Sequence, residues 1–376
     1  MRIKLSSDTL NNRLGALAKT LGAGNKNSSN SRNSSQCQAN EEGLTITASD
    51  SENTMTTTMP IVECDSNDMF AINAQLIINA VKDLPDQPID IIVDNDTRAV
   101  QMKYANGVYD FIADDAYAYP QPQAIGTNIT TITLPAQILV DNFERTIFAT
   151  GDDQLRLVMN GIYFDLTEDY AAIVASDGHK LVRNQIYSIK TEAPTSFILP
   201  KKPALLLKNI LNKDESEVTI QFDGRNAVFT FDGGALNCRL IEGRYPNYNS
   251  VIPKDNPYYV AIDRKSLLGA LKRVIPFASE SSQLVRLDVE TNTLTLKSED
   301  LEFATKAVEQ VPCNYSGNKI CIGFKGSALL AVLSNLIFDD ITLCIGDPSR
   351  PCLVLPSEQP ENQDVLMLLM PMLLND

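Results

Sequence analysis

The chain is short of the residues that carry chemistry. It holds one histidine, His179, in 376 positions, so a Ser–His or Cys–His relay could be built in only one place. No GxSxG elbow accompanies it. There is no GxxxxGK[ST] phosphate loop, since the glycines from Gly317 to Gly326 have the wrong spacing, and neither GxGxxG after a strand nor HExxH occurs. The seven cysteines (Cys37, Cys64, Cys238, Cys313, Cys321, Cys344 and Cys352) are odd in number, and no two stand as CxxC. That argues against zinc and against a disulfide framework, leaving buried, reduced thiols as the expectation. The acidic pairs Asp152-Asp153 and Asp339-Asp340 fall at expected turns and do not amount to a metal site. No catalytic residue, metal or cofactor is expected.

Long apolar runs are missing too. The longest, Val365 to Leu374, contains Pro371 and is about half a membrane span. The N-terminus turns polar at once and lacks the apolar core of a signal peptide. A cytoplasmic protein with no membrane partner is expected. Basic charge is also scarce: 32 Lys and Arg stand against 47 Asp and Glu, a net charge of −15. Conventional nucleic-acid binders present a basic surface, so any hold on DNA must come from a local patch or from something other than bulk attraction. The hydrophobic fraction of 44% excludes a disordered chain, and the length suits two or three domains.

What is present is a repeat. Short apolar strands, each followed by a polar or proline break and an amphipathic helix, begin at Ile3, Phe70, Ile132, Phe197, Val260 and Ile320, 60 to 67 residues apart. The first helix carries Leu10, Leu14, Leu17 and Leu21 on one face. Asn73 and Asp263 stand where N-caps belong, and Pro135 reads as first helical turn. Between helices the chain alternates as strands such as Ile89–Val93 and Val218–Phe222, with Asp223-Gly224 and Asp232-Gly233 as hairpin turns. Six copies of one helix plus three or four strands make an α+β protein. Paired consecutively they give three domains, 1–122, 123–253 and 254–376, parted near Pro120–Pro122 and Pro253–Pro257.

Repeats with strands in one layer and helices in another can close into a ring, which removes exposed sheet edges. Helices facing the hole would carry the basic residues. Lys201, Lys202 and Lys208 mark the fourth helix, and Arg264, Lys265, Lys272 and Arg273 the fifth; Arg145 lies on the third. Lysines on such faces are often merely solvated. A net acidic chain with basic helix faces nevertheless suits a hole that attracts phosphates without base readout. The competing reading is a repeat scaffold that binds peptides but never surrounds DNA.

Three segments carry a resemblance. Asn160–Phe164 with Ala175-Ser-Asp-Gly-His-Lys-Leu181, then Ile241-Glu-Gly-Arg-Tyr-Pro-Asn-Tyr-Asn-Ser-Val-Ile-Pro253, then Met370-Pro-Met372, resemble signatures of the bacterial replicative sliding clamp, the beta subunit of DNA polymerase III. Weaker matches at Leu84-Pro-Asp86 and Asp115–Pro120 fall in order, so the likeness spans the chain. It implies three tandem clamp-type (processivity-fold) domains, each two copies of a helix plus antiparallel strands. Two protomers would pair head to tail as a homodimer, a six-domain ring with helices lining the hole around double-stranded DNA. It implies partners as well: the DNA polymerase catalytic subunit, an ATP-dependent clamp loader, and repair proteins inserting short apolar motifs into a pocket. Carried over by position, that pocket is lined by Met159, Ser176, Gly178, His179, Lys180, Leu181, Pro246, Val251, Leu368, Met370, Pro371 and Met372. Two departures, Ser250 and Leu373, stand where the family often has arginine and make the rim less basic. The Asn/Ser-rich stretch Gly24–Ser35, with Lys26, reads as a flexible loop placed to touch DNA.

Overall fold

The structure is a computed structural model describing residues 1–21, 34–50, 52–94, 96–117, 119, 124–211 and 216–374. Six helices are present among them: α1 (Ser7–Leu21), α2 (Ala74–Val81), α3 (Ala136–Thr146), α4 (Lys201–Ile210), α5 (Arg264–Val274) and α6 (Gly326–Asn335). Each follows directly on one of the six expected strands, Arg2–Ser6, Asp68–Asn73, Thr130–Pro135, Thr195–Pro200, Tyr258–Asp263 and Ile320–Lys325. The local chemistry explains these junctions. Asn73 caps α2 by accepting from the Leu76 amide at 3.0 Å, and Asp263 caps α5 by accepting from Ser266 at 2.7 Å. Pro135 sits one residue earlier than expected, as the last residue of its strand, where its missing N–H still costs the helix nothing.

The fold divides into two compact units, each drawn from separate stretches of chain. The first takes residues 1–140 and 202–240, the second 141–201 and 241–376. Every strand pair is antiparallel. The first unit holds a five-stranded sheet ending on Gly107–Ile112 and an eight-stranded sheet. In the latter, Gly234–Arg239 lies beside Asn53–Met59, so distant parts of the sequence share one ladder. The second unit repeats the plan. Its eight-stranded sheet joins Lys180–Ile186 to Gln363–Leu369, and a four-stranded sheet ends on Thr305–Pro312.

Alternation in the strands and the leucine stripes of the helices meet in the core. Leu5, Ile89 and Ile91 are buried in the first unit with Leu10, Leu14 and Leu17 of α1; Leu267 and Leu271 of α5 are buried in the second with Val285 and Leu287. Leu207 of α4 is fully buried. Leu207→Ala is expected to cost about 2–5 kcal/mol, read as a lower denaturant midpoint at unchanged slope. The hairpin at Asp223-Gly224 forms as expected, with the Asp223 carboxylate accepting from the Arg225 and Asn226 amides at 2.9 and 2.8 Å.

Two expectations are revised. Of the seven cysteines, all free thiols, Cys37, Cys238, Cys344 and Cys352 are buried, but Cys64, Cys313 and Cys321 are partly exposed. Ser34 and Ser35, assigned to the Asn/Ser-rich loop, begin the strand Ser34–Asn40, where Ser35 is paired to Ile72. The rest of that loop, including Lys26, lies outside the described residues, as does the Pro120–Pro122 boundary. Among the described residues, no helix is long and apolar enough to cross a membrane.

Candidate functional site

The motif Ser176-Asp-Gly-His-Lys-Leu181 forms one tight hairpin in the second unit. Ala171–Ser176 is buried along its whole length, and Lys180–Ile186 returns beside it with Ser176 opposite Leu181. Gly178 takes φ +92° at the turn, a conformation that a side chain would strain. Asp177 ties the turn by accepting from the His179 and Lys180 amides, both at 2.9 Å, and it pairs with the Lys180 ammonium. Burial pushes the Asp177 carboxyl up, but these donors outweigh it and hold it below the ordinary aspartate range. Ser176 Oγ closes the network, donating to the Lys180 carbonyl at 2.8 Å and accepting from the Gly178 amide at 3.1 Å.

The C-terminal segment runs along this hairpin. Leu368 lies opposite Leu181 in the ladder, and the Met370 amide donates to the His179 carbonyl at 2.8 Å. Pro371 then interrupts the pairing, having no N–H to give. The Met372 amide reaches the Gly323 carbonyl at 2.8 Å, at the edge of the four-stranded sheet. Beneath lies an apolar floor in which Leu181 and Leu368 pack with Tyr245, Tyr248, Leu353 and Leu366. Tyr245 stacks on Tyr163 with ring centroids 4.6 Å apart, and Tyr248 donates to Asp165 at 2.7 Å. Burial raises both phenols, so they remain neutral hydrogen-bonding groups.

The twelve pocket candidates therefore fall on four pieces of the second unit. Ser176, Gly178, His179, Lys180 and Leu181 share the hairpin; Leu368, Met370, Pro371 and Met372 share the terminal segment bonded to it. Pro246 and Val251 flank Tyr248, which lies in the floor, and both are exposed. Met159 lies in a short 3-10 turn, Leu157–Asn160, whose Val158 packs against the same floor. At Gly243, φ is +137° and an added β-carbon would meet Val158 Cγ1 at 2.7 Å, so the Glu-Gly-Arg segment approaches this turn closely. Buried floor and half-exposed methionines make a surface suited to apolar side chains of varied shape.

Sequence reasoning missed Leu155, Arg156 and Leu157. A β-carbon on Gly178 would lie 3.0 Å from the Arg156 guanidinium, so this turn borders the hairpin. The signal that could have found it is Leu155-Arg-Leu157, two leucines bracketing a charge just before Met159.

The basic set is more divided. Lys202 and Lys272 are exposed, and Lys201 and Lys208 are partly exposed. Lys201 stands 3.9 Å from Asp152, Lys202 pairs with Asp50, and Lys265 stands 2.8 Å from Asp339. Arg145 is a correction. It is only 4% exposed, donates to Gln363 Oε1 at 3.1 Å and lies over the Phe338 ring at 5.5 Å, so it cannot face DNA. Arg264 is half-committed, donating to the Phe338 and Leu333 carbonyls at 2.6 and 3.0 Å near the end of α6. Arg273 is exposed but engages Glu309, with Nε 3.0 Å from Oε2. Among the described residues no group of His, Cys, Asp and Glu is arranged to hold a metal ion.

Comparison with known proteins agrees with this architecture. The family models for the DNA polymerase III beta subunit match in order: the N-terminal domain at residues 1–111, the central domain at 133–247 and the C-terminal domain at 249–373. The chain is similar to the beta sliding clamp of Haemophilus influenzae, at 26% identity over 337 residues, 89% of this chain and 90% of the relative. It is similar to that of Caulobacter vibrioides at 29% over 241 residues, 63% of this chain and 64% of the relative. Among solved structures, a Pseudomonas aeruginosa sliding clamp bound to griselimycin superposes with a TM-score of 0.93 at 22% identity, covering both chains fully. The DNA polymerase III beta subunit of Thermotoga maritima gives 0.88 at 24%, again over the whole of both chains. With three clamp domains matched along its length and a whole-chain likeness in sequence and fold, the chain belongs to the DNA polymerase III beta subunit family, the beta sliding clamps, which are non-catalytic processivity proteins of DNA replication.

Proposed function

We propose that two copies of this chain close head to tail in the cytoplasm into a six-domain ring around duplex DNA, and that the hairpin-and-tail pocket docks the proteins the ring retains. The observation that carries the reading is the six-fold recurrence of strand and helix, each helix burying an apolar stripe, with exposed or partly exposed lysines on α4 and α5. Domains 1–122, 123–253 and 254–376 each contribute two helices to the lining. The retained partners are the polymerase catalytic subunit and repair proteins, while an ATP-dependent loader opens the ring, since the chain has no phosphate loop of its own.

Two sheet edges support the closure. Gly107–Ile112 ends one sheet with Val108 and Ile112 exposed, and Thr305–Pro312 ends another with Val308 exposed and Leu301 and Phe303 nearby. Such edges are a liability unless mated, and mating one with the other between protomers satisfies both.

The lining is tested by reversing Lys201, Lys208, Lys265 and Lys272 to Glu. Four lost phosphate attractions should shorten residence on circular DNA by about tenfold and flatten its salt dependence, while peptide affinity stays unchanged. Residence equal to that of the parent protein would favour a peptide-binding scaffold that never surrounds DNA.

A further inference from the structure

Resting on the pocket reading above, we infer that the partner peptides of this chain carry apolar residues beside their anchor, rather than acidic ones, and seat them on Leu155 and Leu157. Leu155 is 94% exposed and Leu157 60% exposed, an unusual display for adjacent large apolar residues. The display is built. Asp153 accepts from the Leu155 amide at 2.8 Å through its carboxylate, and Asn160 spans the loop, accepting from the Asp153 amide at 3.1 Å and donating to its carbonyl at 3.0 Å. The two leucines are thus held out to solvent on a pinned loop, so a ligand need not order it. The loop leads into Val158, which packs on the pocket floor, and the patch is therefore continuous with the pocket.

Charge points the same way. Two cations near the turn each face an aspartate of their own loop: Arg156 lies 2.9 Å from Asp153, and Lys180 pairs with Asp177. Asp152 adds a further carboxylate, 88% exposed, with Lys201 3.9 Å away. An acidic flank arriving here would meet three aspartates and cations already engaged. An apolar flank would bury leucine surface and disturb none of these pairs.

The test uses the full chain and fluorescent peptides sharing one short Leu/Phe core. Two-residue extensions, Leu-Leu, Ser-Ser or Asp-Asp, are placed at each end in turn, and affinity is read by anisotropy. The Leu-Leu peptide is expected to bind about tenfold tighter than Ser-Ser at one end, with Asp-Asp weakest. In the double variant Leu155→Ser, Leu157→Ser the advantage should vanish while the Ser-Ser peptide binds as before. A Leu-Leu peptide no tighter than Ser-Ser, an advantage that survives in the variant, or a preference for Asp-Asp would overturn the inference and leave the pocket standing. If none of the peptides bound, the pocket reading itself would fall, and this inference with it.

Discussion

Cutting a loaded plasmid once is expected to release the protein. After loading onto a nicked circle, residence should be long; after linearisation, the half-life should fall by tenfold or more, on the order of the time needed to slide to an end. The argument rests on charge. A chain with net charge −15 is repelled by DNA at distance, and Arg145, Arg264 and Arg273 are wholly or partly engaged within the protein. Ordinary contact binding by what is left would be weak and would fall steeply with salt. Topological retention adds to whatever attraction the lining lysines supply, so residence on the circle should exceed residence on the line at every salt concentration. Equal half-lives on circle and line would mean contact binding and would remove the ring.

The second large effect concerns the tail. Deleting Met370–Asp376 is expected to weaken binding of a Leu/Phe-rich peptide by about a hundredfold. Met370 is 37% exposed, Met372 is partly buried and Leu373 is 78% exposed, so covering what remains of the three offers together about 2–3 kcal/mol, where tenfold in affinity corresponds to about 1.4 kcal/mol. The cut falls after Leu369, so the ladder from Gln363 to Leu369 beside Lys180–Ile186 stays whole. The edges Gly107–Ile112 and Thr305–Pro312 are untouched, so sedimentation should still report a dimer. Met370→Glu in the intact chain separates lost contact from lost structure: it leaves the amide bonded to His179 while placing a carboxylate at the mouth. Unaltered peptide titrations in both variants would refute the pocket assignment.

Much of this molecule is written in local pattern. The helices are legible because leucine at three- and four-residue spacing can bury only one face, and Asn73 and Asp263 announce their starts. The turn at Asp177-Gly178 is legible because few other residues accept that backbone. What local pattern does not encode is which distant strand lies alongside which: Gly234–Arg239 beside Asn53–Met59, and Gln363–Leu369 beside Lys180–Ile186. Arg145 shows the same blindness at one residue. Its charge predicts solvent, and only Gln363 and Phe338, about two hundred positions away, turn it inward. Leu155 is the reverse case, an apolar residue whose type predicts burial and whose pinned loop denies it.

The long-range ladders set a schedule for the ribosome. Asn53–Met59 waits for Gly234–Arg239, and Lys180–Ile186 for Gln363–Leu369, each separated by roughly 180 residues. At about 5–20 residues per second, each strand spends about 10–40 seconds with one of its two edges unpaired. Each eight-stranded sheet therefore has an open margin inside its ladder until the distant strand is made, and polysomes bring many such margins together. Non-local pairing also slows closure once the chain is free. Holdase chaperones should consequently matter more for the yield of this protein than for that of an all-helical chain of equal length, with Asn53–Met59 and Lys180–Ile186 the segments in need of cover.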